Sequence, residues 1–193
     1  MLAPTAPLSH LTMNKKHLAA YAAVALLFAA SGAYVGYKKQ DAAPVTATAP
    51  AGVTGPVQAL LAQTLPDAQD RPTALAQYRG KTMLVNFWAT WCAPCVQEMP
   101  ELSELSSGEA GKKLQVIGIG IDSPSNIKEF SSKYKITYPV LVAGMSGTDL
   151  SRQFGNVNGG LPFTGLIGAD GQVKKTYLGA LKFDELHKDL AAL

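Results

Sequence analysis

Residues 87–100 read FWATWCAPCVQEMP and contain both cysteines of the 193-residue chain, Cys92 and Cys95, with Ala93 and Pro94 between them. An isolated C-x-x-C pair is compatible with four kinds of chemistry. The pair belongs either to a zinc site, to a structural disulfide, to two inert buried thiols, or to a couple that cycles between dithiol and disulfide.

The rest of the sequence favours the reversible couple over the other three interpretations. A zinc site needs about four ligands, yet of the three histidines only His187 lies in the segment predicted to fold. A structural disulfide across so short a loop would contribute close to the smallest stabilisation that a disulfide can give. We therefore expect a redox-active disulfide between Cys92 and Cys95, with no metal and no cofactor.

The charge distribution argues against a nucleic-acid partner. The formal net charge is +3, and residues 1–57 account for all of it with four lysines and one aspartate. From residue 58 onward the chain has 13 basic and 13 acidic residues. A neutral domain lacks the positive field that attracts a phosphate backbone.

Residues 1–39 are predicted to carry a membrane anchor. The stretch 18–37 has no charged side chain in 20 residues and is flanked by two lysines on either side. As a helix it would extend about 30 Å, the thickness of the apolar part of a bilayer. The alternative is a cleaved signal peptide with its cleavage site near residues 31–33 and its start at Met13 rather than Met1. Both alternatives export the domain that follows.

The remainder of the chain divides into a linker and one folded domain. Residues 40–57 are rich in alanine, proline, threonine and glycine and show no hydrophobic periodicity, which predicts an extended linker. Residues 58–193 contain repeated apolar runs and are predicted to form the domain.

Within residues 58–193 the hydrophobic pattern predicts strands that alternate with helices. Nearly continuous apolar runs are typical of strands buried on both faces, and apolar residues three or four positions apart are typical of helices. The predicted strands are 82–89, 113–122, 138–143 and a hairpin over 163–179. Three helices are predicted: one from the cysteines to Leu105, one over 125–134, and one that begins at Phe183. Asp122 and Ser123 are interpreted as capping residues of the helix after the second strand. This order predicts an α/β fold with a mixed central sheet and helices on both faces.

The two cysteines should differ in reactivity because a strand, a turn and a helix follow one another directly at this point. Cys92 is placed at the helix N-terminus and Cys95 one turn into the helix. The helix dipole favours the thiolate of Cys92, which is therefore the expected nucleophile, and the more buried Cys95 is the expected resolving thiol. Pro94 fits the first helical turn, whereas Pro100 lies further along and is predicted to kink the helix.

The region around the cysteines resembles the thioredoxin superfamily, and specifically its exported TlpA/ResA-like thiol–disulfide oxidoreductases. The matching motifs, in family order, are RGK at 79–81, LVNFWATWC at 84–92, EMP at 98–100, YP at 138–139, LPFT at 161–164 and DG at 170–171. The resemblance covers about residues 64–193. It implies a thioredoxin fold, preceded by an N-terminal hydrophobic helix, with a cis peptide bond before Pro162.

Five residues near the cysteines, in the chain or across the site, are expected to contact a client, meaning a protein whose disulfide is exchanged. Trp91 is expected to cover the site. Ala93 and Pro94 between the cysteines, and Leu161 and Pro162 opposite them, are expected to bind the client. The backbone of Leu161 would pair with an extended client segment by strand addition.

Glu98 is the third predicted catalytic residue. Cytoplasmic thioredoxins carry a proton-transferring aspartate at the strand position of Asn86, and an amide cannot titrate. ResA-like relatives have an acidic residue at the position of Glu98, three residues after Cys95 and on nearly the same helix face. If buried, Glu98 would have a raised pKa and would exchange a proton with Cys95. The alternative is that Glu98, Glu101 and Glu104 form one solvated stripe.

The function that the resemblance implies is reduction of disulfides in envelope proteins by a monomeric periplasmic domain. Expected clients are apocytochrome c or the cysteines of copper sites, and the expected electron source is a membrane protein of the DsbD/CcdA kind. Three other functions stay open: donation of disulfides, carriage of Cu(I) by the two thiolates, and peroxidase chemistry, for which a lone reactive cysteine would be more typical. The direction of electron flow depends on a reduction potential that composition does not give.

Overall fold

The computed structural model of the protein describes residues 55–193. The predicted membrane anchor and residues 40–54 of the predicted linker lie outside the described residues. Among the residues that are described, no helix combines the length and the apolar character needed to cross a membrane.

The described chain folds around a five-stranded mixed sheet, as the sequence predicts. Its strands, together with those of a small N-terminal hairpin, are β1 (Thr64–Pro66), β2 (Pro72–Ala74), β3 (Thr82–Trp88), β4 (Leu114–Gly120), β5 (Val140–Val142), β6 (Phe163–Ile167) and β7 (Val173–Leu178). The helices are α1 (Pro56–Leu61), α2 (Ala93–Ser107), α3 (Pro124–Tyr134), α4 (Ser146–Gln153) and α5 (Phe183–Ala191).

The sheet has the strand order β5-β4-β3-β6-β7. Strands β3, β4 and β5 run parallel, whereas β6 is antiparallel to β3 and β7 is antiparallel to β6. The register places Asn86 of β3 opposite Gly118 of β4 on one side and Thr164 of β6 on the other. A polar side chain therefore lies in the middle of the central strand.

Helices cover both faces of the sheet. On one face, α2, α3 and α5 pack against Leu84 and Trp88 of β3. On the other face, α1 and α4 pack against Val85 and Phe87. Successive side chains of a strand point to opposite faces. Strand β3 is therefore buried on both sides, which explains its nearly continuous apolar run.

Two local predictions are confirmed. Helix α2 continues through Pro100 to Ser107, so the apolar spacing to Leu105 does mark one helix; the kink at Pro100 stays a prediction. The turn at Asp170-Gly171 joins β6 and β7, and Gly171 has a φ of 75°, which glycine adopts without steric cost.

Three elements were not predicted from the sequence: α1, the β1–β2 hairpin and α4. Helix α1 begins at Pro56 and buries Val57, Leu60 and Leu61, so it extends two residues into the segment predicted as linker. Helix α4 reads SGTDLSRQ, and its largely polar composition hides the few residues that it buries.

The β1–β2 hairpin lies beside the outer strand β5. Asp67, directly after β1, forms an antiparallel bridge with Leu141 of β5. The guanidinium of Arg71 lies 2.8 Å from the Asp67 carboxylate and holds this loop in place. Strand β5 is only three residues long, so the bridge covers part of a short sheet edge.

Replacing Leu60 by alanine should destabilise the domain by about 2–5 kcal/mol, because the change removes a fully buried side chain and leaves a cavity. Urea unfolding followed by tryptophan fluorescence measures the difference. Gln58→Ala is the matched control: its side chain bonds Arg79 at the surface, and its loss should cost less than about 0.5 kcal/mol. Native stability in Leu60→Ala would contradict the assignment of α1 to the domain.

Candidate active site

Cys92 and Cys95 lie at the start of α2 and are joined by a disulfide with an S–S distance of 1.96 Å. Cys92 is the N-cap residue, with extended backbone, and Ala93 and Pro94 are the first two helical residues. The backbone N–H of Cys95 donates a hydrogen bond to Sγ of Cys92 at 3.3 Å. Free amide groups at a helix N-terminus stabilise negative charge, so this position favours a thiolate at Cys92.

The two cysteines differ in exposure as the sequence predicts. Cys92 is 6% exposed and Cys95 is completely buried. Ala93 and Pro94, between them, are exposed at the surface. An approaching sulfur atom therefore reaches Cys92 first, because Cys95 has no exposed surface.

An apolar cleft of about 530 Å³ reaches Trp91, the residue that precedes Cys92 in the chain. It is lined by Trp91, whose side chain is 70% exposed, by the exposed Met145, and by Leu161. The Leu161–Pro162 peptide bond is cis, as the resemblance implies, and the shared cleft places this segment beside Trp91. The structure thus places Trp91 and Leu161, two of the five residues predicted to contact a client, in one cleft.

The loop before Cys92 is tied to the start of α3. The hydroxyl of Thr90 donates a hydrogen bond to the Asp122 carboxylate. Asp122 also accepts from the backbone N–H of Ser123 at 2.7 Å and from the Asn126 side chain at 2.8 Å, and Ser123 Oγ accepts from the Asn126 N–H at 3.3 Å. Ser123 is thus the N-cap residue of α3, as predicted, and Asp122 supports the same turn, while both residues also line the cleft at Trp91.

Glu98 is buried, with 4% of its surface exposed, while Glu101 and Glu104 on the same helix are exposed. The three glutamates therefore do not form one solvated stripe. Oε1 of Glu98 accepts a hydrogen bond from the Asn86 side-chain amide at 2.7 Å, and Oε2 accepts from the backbone N–H of Leu181 at 2.9 Å. The carboxyl group is thus fixed between α2, the central strand and the chain that leads into α5.

Burial raises the pKa of Glu98 to about 7, although the hydrogen bonds from Leu181 and Asn86 act in the opposite direction. Desolvation has this effect because a buried charge loses its interaction with water. No ion pair within residues 55–193 includes Glu98. Since Cys95 lies three residues earlier on the buried face of the same helix, a carboxyl group with a pKa near neutrality lies close to Cys95.

Three residues of the site were not assigned a role from the sequence. Thr164 Oγ1 accepts a hydrogen bond from the Asn86 amide at 3.0 Å, and Thr164 is completely buried. Leu181 contributes its backbone N–H as a hydrogen-bond donor, and such a donor cannot be recognised from the residue type. Tyr138 is buried on the same face of the sheet as Glu98. The LPFT and YP motifs contain Thr164 and Tyr138 and are the only sequence signals that point to them.

The part of the chain that the structure describes contains no group of three or more His, Cys, Asp or Glu side chains arranged to hold a metal ion. His187, the histidine of the folded segment, is exposed on α5.

Comparison with known proteins agrees with this geometry. The sequence model of the Redoxin family matches residues 39–190. The thiol–disulfide oxidoreductase ResA of Geobacillus thermodenitrificans is 31% identical over 132 residues, which are 67% of this chain and 72% of ResA.

Two solved structures with the same fold extend the comparison. A secreted disulfide oxidoreductase of Mycobacterium tuberculosis, homologous to E. coli DsbE, superposes with a TM-score of 0.58 at 26% identity and covers 69% of this chain and 97% of its own. The exposed lipoprotein thioredoxin Etrx1 of Streptococcus pneumoniae gives a TM-score of 0.57 at 27% identity, over 68% of this chain and 98% of its own. The chain therefore belongs to the Redoxin family and is a ResA/TlpA-like thiol–disulfide oxidoreductase of the thioredoxin superfamily, as its cysteine motif predicts.

Proposed function

We propose that the protein is a disulfide reductase of the periplasm, anchored in the membrane by its N-terminal segment, with Cys92, Cys95 and Glu98 as its catalytic residues. The observation that carries the proposal is their order along α2. Cys92 keeps a small exposed fraction of 6%, Cys95 is completely buried, and the buried Glu98 follows one turn later. This order separates attack, release and proton transfer among three groups.

In the first step the thiolate of Cys92 attacks one sulfur atom of a client disulfide. A bond forms between Cys92 Sγ and that sulfur, and the other client sulfur leaves as a thiolate. The N–H of Cys95, which donates to Cys92 Sγ in the disulfide form, and the start of α2 stabilise the attacking thiolate.

In the second step the Cys95 thiol gives its proton to the Glu98 carboxylate and attacks Cys92 Sγ. The bond to the client breaks, its second sulfur leaves as a thiolate, and the Cys92–Cys95 disulfide forms. The protein dithiol has then lost two electrons and the client disulfide has gained them. A carboxyl group with a pKa of about 7 is suited to this transfer because it accepts and returns a proton near neutral pH.

Client binding is assigned to the surface beside the disulfide. The backbone of Leu161 pairs with an extended client segment, and Trp91, Ala93, Pro94 and Pro162 complete the contact. The adjoining cleft is apolar at Trp91 and Leu161 and accepts a hydrophobic side chain next to the client cysteine. The clients that we propose are apocytochrome c and the cysteines of copper sites.

A reductase must itself be reduced after each turnover. We assign this step to a membrane electron donor of the DsbD/CcdA kind, which the proposed anchor places in the same membrane. The direction of flow follows from the reduction potential of the Cys92–Cys95 pair, because about 30 mV corresponds to about 1.4 kcal/mol for a two-electron couple.

The reduction potential of the full chain, solubilised in mild detergent, should lie close to that of thioredoxin, about −270 mV. Equilibration in graded dithiol buffers, followed by the fluorescence of Trp88 and Trp91, measures it. A value above about −180 mV, the range of disulfide donors, would reverse the direction that we propose. A chain with no two-electron transition that retains stoichiometric Cu(I) would be a metal carrier instead.

Cys92→Ser should abolish reduction of a disulfide-containing client peptide, because it removes the nucleophile. Cys95→Ser should still attack but accumulate a stable mixed disulfide, because the release step has lost its thiol. Non-reducing gel electrophoresis and mass spectrometry after mixing distinguish the two variants. Accumulation of the mixed disulfide by Cys92→Ser would assign the roles of the two cysteines the other way round.

Glu98→Gln should slow client release about 100-fold at pH 7 and leave the first attack unchanged, because only the second step uses the carboxylate. The native release rate should rise with pH through about 7, the pKa of Glu98 in the disulfide form, and the variant should lose this rise. Rapid acid quench of the mixed disulfide between pH 5 and 9 measures both steps. Glu101→Gln, at an exposed position of α2, is the control, and equal behaviour of the two variants would refute the role of Glu98.

A further inference from the structure

Four buried polar atoms have no hydrogen-bond partner within residues 55–193: Asn86 Oδ1, Trp88 Nε1, Ser131 Oγ and the hydroxyl of Tyr138. Trp88 is completely buried and Tyr138 is 4% exposed. Native proteins rarely leave buried polar groups unpaired, and ordered water is the usual partner where side chains supply none. Four such atoms in one region therefore point to a hydrated path inside the protein.

The inner end of this path lies at Glu98. Asn86 donates to the Glu98 carboxylate, and Trp88 is two residues further along β3, on the same face of the sheet. Gly118 lies opposite Asn86 in β4. A Cβ at Gly118 would lie 3.1 Å from Trp88 Nε1 and 3.1 Å from Cε2 of Tyr138. The missing side chain of this glycine thus leaves the indole N–H beside the tyrosine ring.

The outer end of the path lies beside a different surface from the one proposed to bind clients. Tyr138 and Ser131 of α3 line a cleft of about 590 Å³ that also borders the β1–β2 hairpin. This cleft shares no lining residue with the apolar cleft at Trp91 and Leu161. Protons that pass by Tyr138 and Ser131 would leave the protein away from a bound client.

The pKa of the Tyr138 hydroxyl depends on the charge of Glu98. Burial first, and then the negative charge of Glu98, raise the pKa of the Tyr138 phenol, so its hydroxyl remains a donor at neutral pH. The groups that face Glu98 are Asn86 of β3, the Leu181 N–H before α5, Tyr138 before β5 and its helix neighbour Cys95. Of these only Tyr138 and Cys95 can titrate, and neither carries a positive charge.

We propose that buried water joins the Glu98 carboxyl to the Tyr138 hydroxyl and the Trp88 indole N–H, and that Tyr138 relays the proton of Glu98 toward Ser131 and the outer cleft. The inference rests on the proposed function, in which Glu98 takes the Cys95 proton. The phenol receives one proton for each proton that it gives, so no charge accumulates and no electron moves. Tyr138 is a positioning residue: it holds the water through which Glu98 returns to its anionic form while a client still covers Cys92.

Tyr138→Phe removes the hydroxyl and keeps the ring, and it should raise the pKa of Glu98 by about half a unit or more, because the carboxylate loses a hydrogen-bonded water. The pH profile of client release should move upward by the same amount. Carbon-13 NMR of labelled glutamate carboxyls, in the full chain in detergent micelles, measures the titration. Tyr134→Phe makes the same change at a residue of α3 that is 47% exposed and should leave the titration and the pH profile unchanged.

The presence of the buried water can be tested directly in the native chain. Only two indole N–H groups exist, those of Trp88 and Trp91, so a nuclear Overhauser contact from bound water to the Trp88 proton can be assigned. We expect this contact in the native chain and its loss in Tyr138→Phe.

Two results would overturn the proposal: no such water contact at Trp88 in the native chain, or an unchanged Glu98 titration in a folded Tyr138→Phe variant. If Tyr138→Phe does not fold, the presence or absence of the water contact at Trp88 in the native chain still tests the proposal. Release at the native rate by Glu98→Gln would instead refute the proposed role of Glu98, which distinguishes the two failures.

Discussion

The burial of the Glu98 carboxyl is the constraint on which the rest of the site depends. Its two oxygens accept hydrogen bonds from the central strand and from the chain before α5, so the helix that carries both cysteines is fixed against the sheet. Burial of this carboxyl lowers the free energy of unfolding at neutral pH. The folded carboxyl keeps its proton up to a pH of about 7, whereas its ordinary pKa is 4.5. Since the folded state binds more protons in this interval, its free energy of unfolding falls there, by up to about 3 kcal/mol in all. Groups perturbed in this way concentrate at functional sites.

The difference between the two cysteines follows from one local structure. A buried strand ends at Trp88 and a helix begins at Ala93, and this short connection leaves Cys92 as the capping residue, with 6% of its surface exposed. Cys95, three residues later, necessarily points back toward the sheet. The opposite roles that we propose for two chemically identical side chains thus follow from their positions alone, and the buried one is on the same helix face as the carboxyl group proposed to take its proton.

The sequence predicts the parts of this site that lie close together in the chain. Cys92, Cys95 and Glu98 occupy two turns of one helix, so their spacing alone placed them on it. The contacts that complete the site join distant segments: 78 residues separate Asn86 from Thr164, and 83 separate Glu98 from Leu181. Such contacts depend on strand order and register, and a backbone N–H donor has no signature in residue type. Helix α4 was missed for another reason, since its buried residues include a glycine and a serine.

The two edges of the sheet have a consequence if the clients are incompletely folded chains, as we propose for apocytochrome c. Unpaired backbone groups on an edge strand capture extended segments and promote aggregation. Here β5 is short and partly covered through the Asp67–Leu141 bridge, and β7 carries Lys174 and Lys175, both paired with nearby carboxylates. Neither edge offers a long apolar template. An extended client of the proposed kind would therefore find no edge strand to bind after its disulfide has been exchanged, and the sheet edges would not promote its aggregation.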